Sequence, residues 1–230
     1  MSEFNNLSVC CLAYGKEHID EYNLLAKSIP TELFVATDSP NQIEKGNIIV
    51  VNEPFNYNLK YKSIEEAFKK TDVVLFLDTD IYVNRNIDFS LISNLEDGFY
   101  TTTAPYSTFT HMGETINIFN ILNTEYGKEI NNLSTKLSFV DEQKFIIKLS
   151  DKNDRLKFIS VWDSIYNTTK HTHIKNKTNQ LPGIYEGLII STICEITNTK
   201  IIYDNINIQS FFSAFNHYGW DIETPKPSLI

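Results

Sequence analysis

The chain has 230 residues, of which 42% are hydrophobic and 21% charged, and it carries a formal net charge of −9. That apolar content builds a globular core rather than a disordered chain, and the length suits one domain. The acidic balance argues against general nucleic-acid binding, which needs clustered Lys and Arg, and no apolar stretch approaches the ~18 residues of a membrane span. The start, Met1-Ser2-Glu3-Phe4-Asn5-Asn6, has neither the basic nor the apolar region of a signal peptide. Cys10, Cys11 and Cys194 have no disulfide or C-x-x-C spacing and read as small buried hydrophobes, so the expected compartment is the reducing cytoplasm.

In chain order, Leu7 to Ala13 is an apolar strand, and Glu17 to Ile29 reads as a helix with Ile19, Tyr22, Leu25 and Ala26 on one face. Glu32 to Ala36 is a second strand, closed by Thr37-Asp38-Ser39-Pro40, and Asn47 to Val51 a third. Leu59 to Lys70 follows as a helix, with Ile64, Ala67 and Phe68 at helical spacing, and Val73 to Leu77 is a fourth strand. This alternation predicts a mostly parallel central sheet flanked by helices, an α/β, Rossmann-like arrangement. Ile81 to Val83 and Phe99 to Ala104 are expected as short strands. Helices are expected over Thr115 to Tyr126, Asp141 to Leu149, Trp162 to Thr168 and Gly183 to Ile196. Ile201 to Tyr203 reads as a strand, Ile208 to His217 as a last helix, and the Pro-containing tail as irregular.

Asp78-Thr79-Asp80 ends the most apolar strand, Val73-Val74-Leu75-Phe76-Leu77, which reads as buried on both faces. Carboxylates there need a positive partner, and ligands bind at the carboxyl ends of such strands. A hard divalent cation held by oxygen, itself holding a phosphate, satisfies both demands. The alternative is a solvated strand end with two ordinary surface aspartates.

Four pieces of the chain together resemble a GT-A fold glycosyltransferase, the metal-dependent type that uses a nucleotide-sugar donor. They are Leu12-Ala13-Tyr14-Gly15 with the helix after it, Thr37-Asp38-Ser39-Pro40, Asn58 to Ala67 before the fourth strand, and Leu75-Phe76-Leu77-Asp78-Thr79-Asp80-Ile81, which is similar to the D-x-D signature. The first half carries the likeness well and the rest loosely, and the groups around glycosyltransferase families 8 and 6 are the nearest in pattern. The resemblance implies a single GT-A-like domain, with a nucleotide-sugar-binding half over about the first 104 residues and an acceptor-side half after it. It implies transfer of a sugar from a nucleoside-diphosphate donor, with UDP-sugar the expected class, to the hydroxyl of a glycan or other acceptor.

It also implies roles for particular residues. Asp80 would bind Mn²⁺ or Mg²⁺, and Asp78 the metal or the ribose. Ala13, Tyr14 and Asp38 lie where the nucleoside would sit: Tyr14, or Tyr22 in its place, could stack on a base, and Asp38 could accept from uracil N–H. Tyr22 also suits the core by its spacing. Lys60 and Lys62 would face the donor, or else form a solvated helix end. In Lys170 to Lys177, strand alternation puts His171, His173 and Lys175 on one face, offering His173 to the metal and Lys175 to the diphosphate. A solvated basic strand end explains that segment equally well. His217, in Asn216-His217-Tyr218-Gly219-Trp220, is the rival metal histidine, whereas His18 and His111 read as ordinary surface or loop residues.

On the acceptor side, Asp141, Glu142 and Gln143 either lie near the reacting sugar or cap a helix. Trp162 would offer a stacking surface with Asp163 beside it, and Glu186 would face the cleft. An inverting enzyme would need one of these carboxylates as general base. Two other readings share the motif. A haloacid-dehalogenase-type phosphatase also uses D-x-D after an apolar strand, but here three strands precede the motif and Tyr82 stands where Thr or Val is expected. A nucleotide-sugar-binding domain without turnover is the other.

Overall fold

The computed structural model describes residues 7–92, 94–102, 140–169, 173–175, 180–182 and 186–217, with side chains at most of them. The helix expected at Thr115 to Tyr126, the end of the strand expected at Phe99 to Ala104, and the tail lie outside the described residues.

The first half follows the expected alternation: β1 Leu7–Ala13, α1 Gly15–Ser28, β2 Glu32–Thr37, β3 Asn47–Val50, α2 Lys60–Phe68 and β4 Val73–Leu77. Short strands β5 Ile81–Val83 and β6 Gly98–Tyr100 come next, then β7 Lys144–Lys148 and α3 Lys152–Thr169. The remainder is β8 His173–Lys175, β9 Gln180–Pro182, α4 Glu186–Thr197, β10 Ile201–Ile202, α5 Ile206–Phe212 and β11 Phe215–His217.

The described residues form a seven-stranded sheet in the order β10-β6-β7-β4-β1-β2-β3. β1 pairs in parallel with β2 and β4, β2 with β3, and β6 with β10, whereas β7 runs antiparallel to both of its neighbours. The sheet is thus mixed but mostly parallel, compatible with a Rossmann-like fold.

Strand alternation divides the core into two layers. Cys10, Leu12, Val74 and Phe76 face α2, α3 and α4, packing with Ile64, Trp162 and Ile190. Val9, Cys11, Leu75 and Leu77 face α1 and α5, packing with Tyr22, Leu25 and Phe211. Every residue of β1 is buried, which is why its sequence reads as a continuous apolar run. Tyr22 belongs to this core, its hydroxyl donating to the Lys45 carbonyl at 2.7 Å.

Three expectations require correction. The helix expected at Asp141 to Leu149 is instead strand β7. Phe145, Ile146 and Ile147 are all buried because β7 lies between β4 and β6, covered on both faces, where β-branched residues fit. The helix expected to start at Trp162 is α3, which begins ten residues earlier, at Lys152. Its start is fixed by Asp151 Oδ1, which accepts from the N–H of Asn153 at 2.6 Å and Asp154 at 3.3 Å. The last helix ends at Phe212 rather than His217, and the chain then turns into β11 antiparallel to β5. Arg85 donates to the Ser210 carbonyl in the last turn at 2.6 Å, and Asn84 donates to the carbonyls of Ser213 and Ala214 just after it, so residues following β5 hold the end of the helix.

Gly46, which leads into β3, has φ +118°, a region closed to side chains, and a Cβ there would lie 2.6 Å from Tyr22 Oη. Gly46→Ala is therefore expected to cost roughly 2–3 kcal/mol, read from urea unfolding. Adding Tyr22→Phe removes the closest contact but leaves the backbone strain and the approach of 3.2 Å to Leu33 Cβ, and gives up the bond to Lys45, so it should recover at most a small part of the loss. A Gly46→Ala midpoint equal to that of the native chain would contradict this account.

Candidate functional site

The chain leaves β1 outward through β2 and β3, then returns to place β4 on the other side of β1. The strand order therefore reverses between β1 and β4, and ligands of open α/β sheets bind in the crevice outside the carboxyl ends at such a point. Ala13 ends β1 and Tyr14 links it to α1, Asp38 follows β2, and Asp78-Thr79-Asp80 follows β4. Because β7 is antiparallel, its beginning arrives at the same edge, and the Asp78 N–H donates to the Gln143 carbonyl at 2.8 Å. Residues 65 positions apart in sequence are thereby joined.

Lys60 is the centre of this junction. It opens α2, is 1% exposed, and places Nζ 2.9 Å from Asp78 Oδ1 and 2.9 Å from the Glu142 carbonyl oxygen, which accepts its proton. The ammonium also lies 4.8 Å from the centre of the Phe76 ring. The solvated reading of this lysine does not hold: the cation is buried and directed at Asp78. Lys62 differs, remaining partly exposed with Nζ 3.7 Å from Glu53 Oε1 and over the Tyr61 ring.

Glu142 packs against the start of α4, where a Cβ on Gly187 would lie 2.6 Å from Glu142 Oε2. Burial pushes the Glu142 carboxyl above the usual range; Lys60 draws it back, and Asp78 and Asp141 add to the rise. Asp141 is not at a helix start. Its Oδ1 accepts from the Gln143 N–H at 3.0 Å, and its Oδ2 accepts from the Thr102 hydroxyl at 2.6 Å.

His18, read from the sequence as an ordinary surface residue, belongs to the site. Its Nδ1 lies 3.3 Å from Glu21 Oε2 and 3.3 Å from Thr79 Oγ1, and the Thr79 hydroxyl donates to Glu21 Oε2 at 3.2 Å. The bond to Glu21 raises the imidazole above its ordinary value, against the effect of burial, with Glu21, Asp80 and Glu17 charges adding to the rise. The available signal was spacing: His18, Tyr22 and Leu25 fall on one side of α1, and Glu21 is buried beside them.

At the β1 end, Asp38 Oδ1 accepts from the Gly15 N–H at 3.1 Å, tying β2 to the first turn of α1. The Tyr14 hydroxyl donates to the Glu53 carbonyl at 2.7 Å, and its ring lies 5.2 Å from Phe55, which also meets His18 and Tyr57. Phe55 was not anticipated from the sequence.

Other expected residues lie apart. Trp162 is wholly buried and offers no stacking surface, and Asp163 accepts a hydrogen bond from the Tyr61 hydroxyl, locking α3 to α2. His173 and Lys175 lie in β8, which pairs with β9 in a ribbon separate from the large sheet. His217 lies in β11, directly opposite Ile81, the residue after Asp80. The side chains of His173, Lys175, Glu186 and His217, and all of His111 and His171, lie outside the described residues. A cavity of about 350 Å³ along β6 and β10, lined by Glu96, Tyr100, Lys200 and Asp204 among others, includes none of the expected residues.

Among the described residues, no group of three His, Cys, Asp or Glu side chains is placed to hold a metal ion, and no helix is long and apolar enough to cross a membrane. A scan against known protein families and a search of curated proteins each return no match to this chain.

Proposed function

We propose that the chain is a GT-A-type glycosyltransferase that moves a sugar from a nucleoside-diphosphate donor, with UDP-sugar the class implied by its sequence resemblance, to an acceptor hydroxyl. The observation that carries this reading is the position of Asp78-Thr79-Asp80 at the strand-order reversal, with the Glu142 carboxyl held beside it.

The donor set suits Mn²⁺ or Mg²⁺, which need only one or two protein carboxylates when diphosphate oxygens and water complete the shell. Asp80 and Asp78 would hold the ion, which supplies a Lewis acid for the charge of the departing diphosphate. The Asp78 oxygen facing Lys60 is already engaged, so Asp80 is the principal ligand in this reading. The pairing of β11 with β5 favours His217 over His173 as a further ligand, because it brings the backbone of His217 beside the motif. Glu142, whose burial favours the protonated form, is the carboxyl best suited to take a proton from the acceptor hydroxyl in an inverting reaction. Asp163 is withdrawn from that role by its bond to Tyr61.

The test is thermal unfolding with UDP, GDP and their sugars, each with and without Mn²⁺. Near-saturating ligand should raise the midpoint by roughly 5–10 °C for a chain of this size. The expected shift requires one nucleotide and the metal together and disappears in Asp80→Ala. A midpoint that no nucleotide moves, with or without Mn²⁺, would overturn the reading, and hydrolysis of aryl phosphates would then favour the phosphatase.

A further inference from the structure

We propose that His18 and Glu21 are positioning residues that hold the Asp78-Thr79-Asp80 turn through the Thr79 hydroxyl, so that α1 sets the affinity of the site for a metal–nucleoside diphosphate. This rests on the function proposed above and extends it to residues outside the D-x-D signature.

The geometry is a closed triangle. Thr79 Oγ1, Glu21 Oε2 and His18 Nδ1 are separated by 3.2, 3.3 and 3.3 Å. Thr79 is 4% exposed and Glu21 7%, so neither group exchanges these partners for water at little cost. A helical ion pair between His18 and Glu21 alone would be worth only tenths of a kcal/mol. Here the same carboxylate oxygen also takes the proton of a hydroxyl 58 residues away, which ties α1 to the turn after β4.

Hydrogen-bond accounting fixes the roles. A carboxylate only accepts, and the threonine hydroxyl has one proton to give. Thr79 gives it to Glu21, and the Nδ1–H of His18 points at the same Glu21 oxygen. This assigns the tautomer from its partners and directs Nε2 away from the triangle. Stacking on Phe55, with ring centroids 6.3 Å apart and planes 22° from parallel, restrains the imidazole.

The consequence follows from chain position. Asp78 is held on one side by Lys60 and by the Gln143 carbonyl. Thr79 is held on the other side by α1, and it is the residue between the two carboxylates. Fixing its side chain limits the peptide groups on either side and hence the direction of Asp80. Groups that orient metal ligands from outside the coordination shell typically account for 10–100-fold in affinity when removed.

The experiment measures the apparent affinity for UDP in saturating Mn²⁺, and for Mn²⁺ in saturating UDP, by calorimetric titration of the intact chain, with GDP as a second probe. Thr79→Val should weaken binding about tenfold or more, and Thr79→Ser should restore it to near the native value. His18→Asn keeps an N–H donor at the Nδ1 position and should bind like the native chain, whereas His18→Gln places its amide at the Nε2 position and should bind like Thr79→Val. The donor KM should rise more than kcat falls. Urea unfolding without ligand separates these effects from stability. If Thr79→Val does not fold, the two His18 variants, at a side chain 40% exposed, decide the matter. Native affinity in Thr79→Val, or rescue by Gln but not by Asn, would overturn the positioning role while leaving the proposed function intact. Failure of the native chain to bind either nucleotide with Mn²⁺ would remove both.

Discussion

Asp78→Ala should destabilise the fold by about 3 kcal/mol, whereas Asp80→Ala should cost about 1 kcal/mol or less. The two aspartates are equivalent members of one motif in sequence but not in the structure. Asp78 faces an ammonium whose side chain is 1% exposed and which lies over the Phe76 ring. Removing its carboxylate leaves that cation with its carbonyl acceptor but without the oxygen 2.9 Å away. Breaking such a pair from one side usually costs about 3–5 kcal/mol, and the lower end applies because Asp78 itself keeps 27% of its surface in water.

Asp80 acts instead on the partly exposed His18 imidazole, whose charged form it favours together with Glu21 and Glu17, so its removal weakens that attraction. Urea unfolding of the two variants, with Lys60→Met and Lys60→Met/Asp78→Ala, completes a double-mutant cycle. The expected pattern is a double variant more stable than Asp78→Ala alone, since methionine fills the lysine site without a charge. Equal losses in the two aspartate variants, or coupling below about 0.5 kcal/mol, would show that the pair is not structural. The cycle also governs how activity data are read: lost binding in Asp80→Ala reports on the ligand site, whereas lost binding in Asp78→Ala mixes that with a weakened fold.

The parallel half of the sheet was readable because β1 and β4 are buried on both faces, which leaves an unmistakable apolar run, and because α1 and α2 have one apolar face each. β7 reads as a helix in sequence because its three buried residues are bounded by lysines and preceded by two acids, a pattern that also suits a helix start. Only its antiparallel insertion between β4 and β6 distinguishes the two, and that is a long-range property. β11 was lost for the same reason, since it exists through pairing with β5. The D-x-D position was legible from local sequence, but its surroundings were less so. Lys60, Ile64, Ala67 and Phe68 follow i, i+4, i+7, i+8, so the buried face of α2 includes the lysine, although its charge suggests a ligand or solvent rather than a buried pair with Asp78. Glu21 is equally opaque in sequence, because a carboxylate on a buried helix face is explained only by Thr79 and His18, which meet it through the fold.

Glu142→Gln is expected to lower turnover by about 10²–10⁴-fold while making the folded state more stable at neutral pH. The sign of the second effect follows from linkage. Burial raises the Glu142 carboxyl above its ordinary value of 4.5, so the folded chain retains that proton to higher pH than the unfolded chain. As pH rises, the unfolded carboxyl ionises first, and the stability present below 4.5 is lost as pH passes through the raised folded value. Glutamine does not ionise and escapes this loss. Lys60 opposes the trend because it attracts the ionised form, but its effect is smaller than that of burial. The variant should therefore match the native chain most closely near pH 4 and exceed it increasingly toward pH 7, in urea unfolding across that range. An advantage that shrinks as pH rises would make Glu142 a stabilising counter-charge for Lys60, and the physical basis for its role as a base would fail. Turnover within tenfold of native in the same variant would exclude that role directly, leaving Asp80 and the nucleotide-dependent thermal shift as the remaining support for the proposed chemistry.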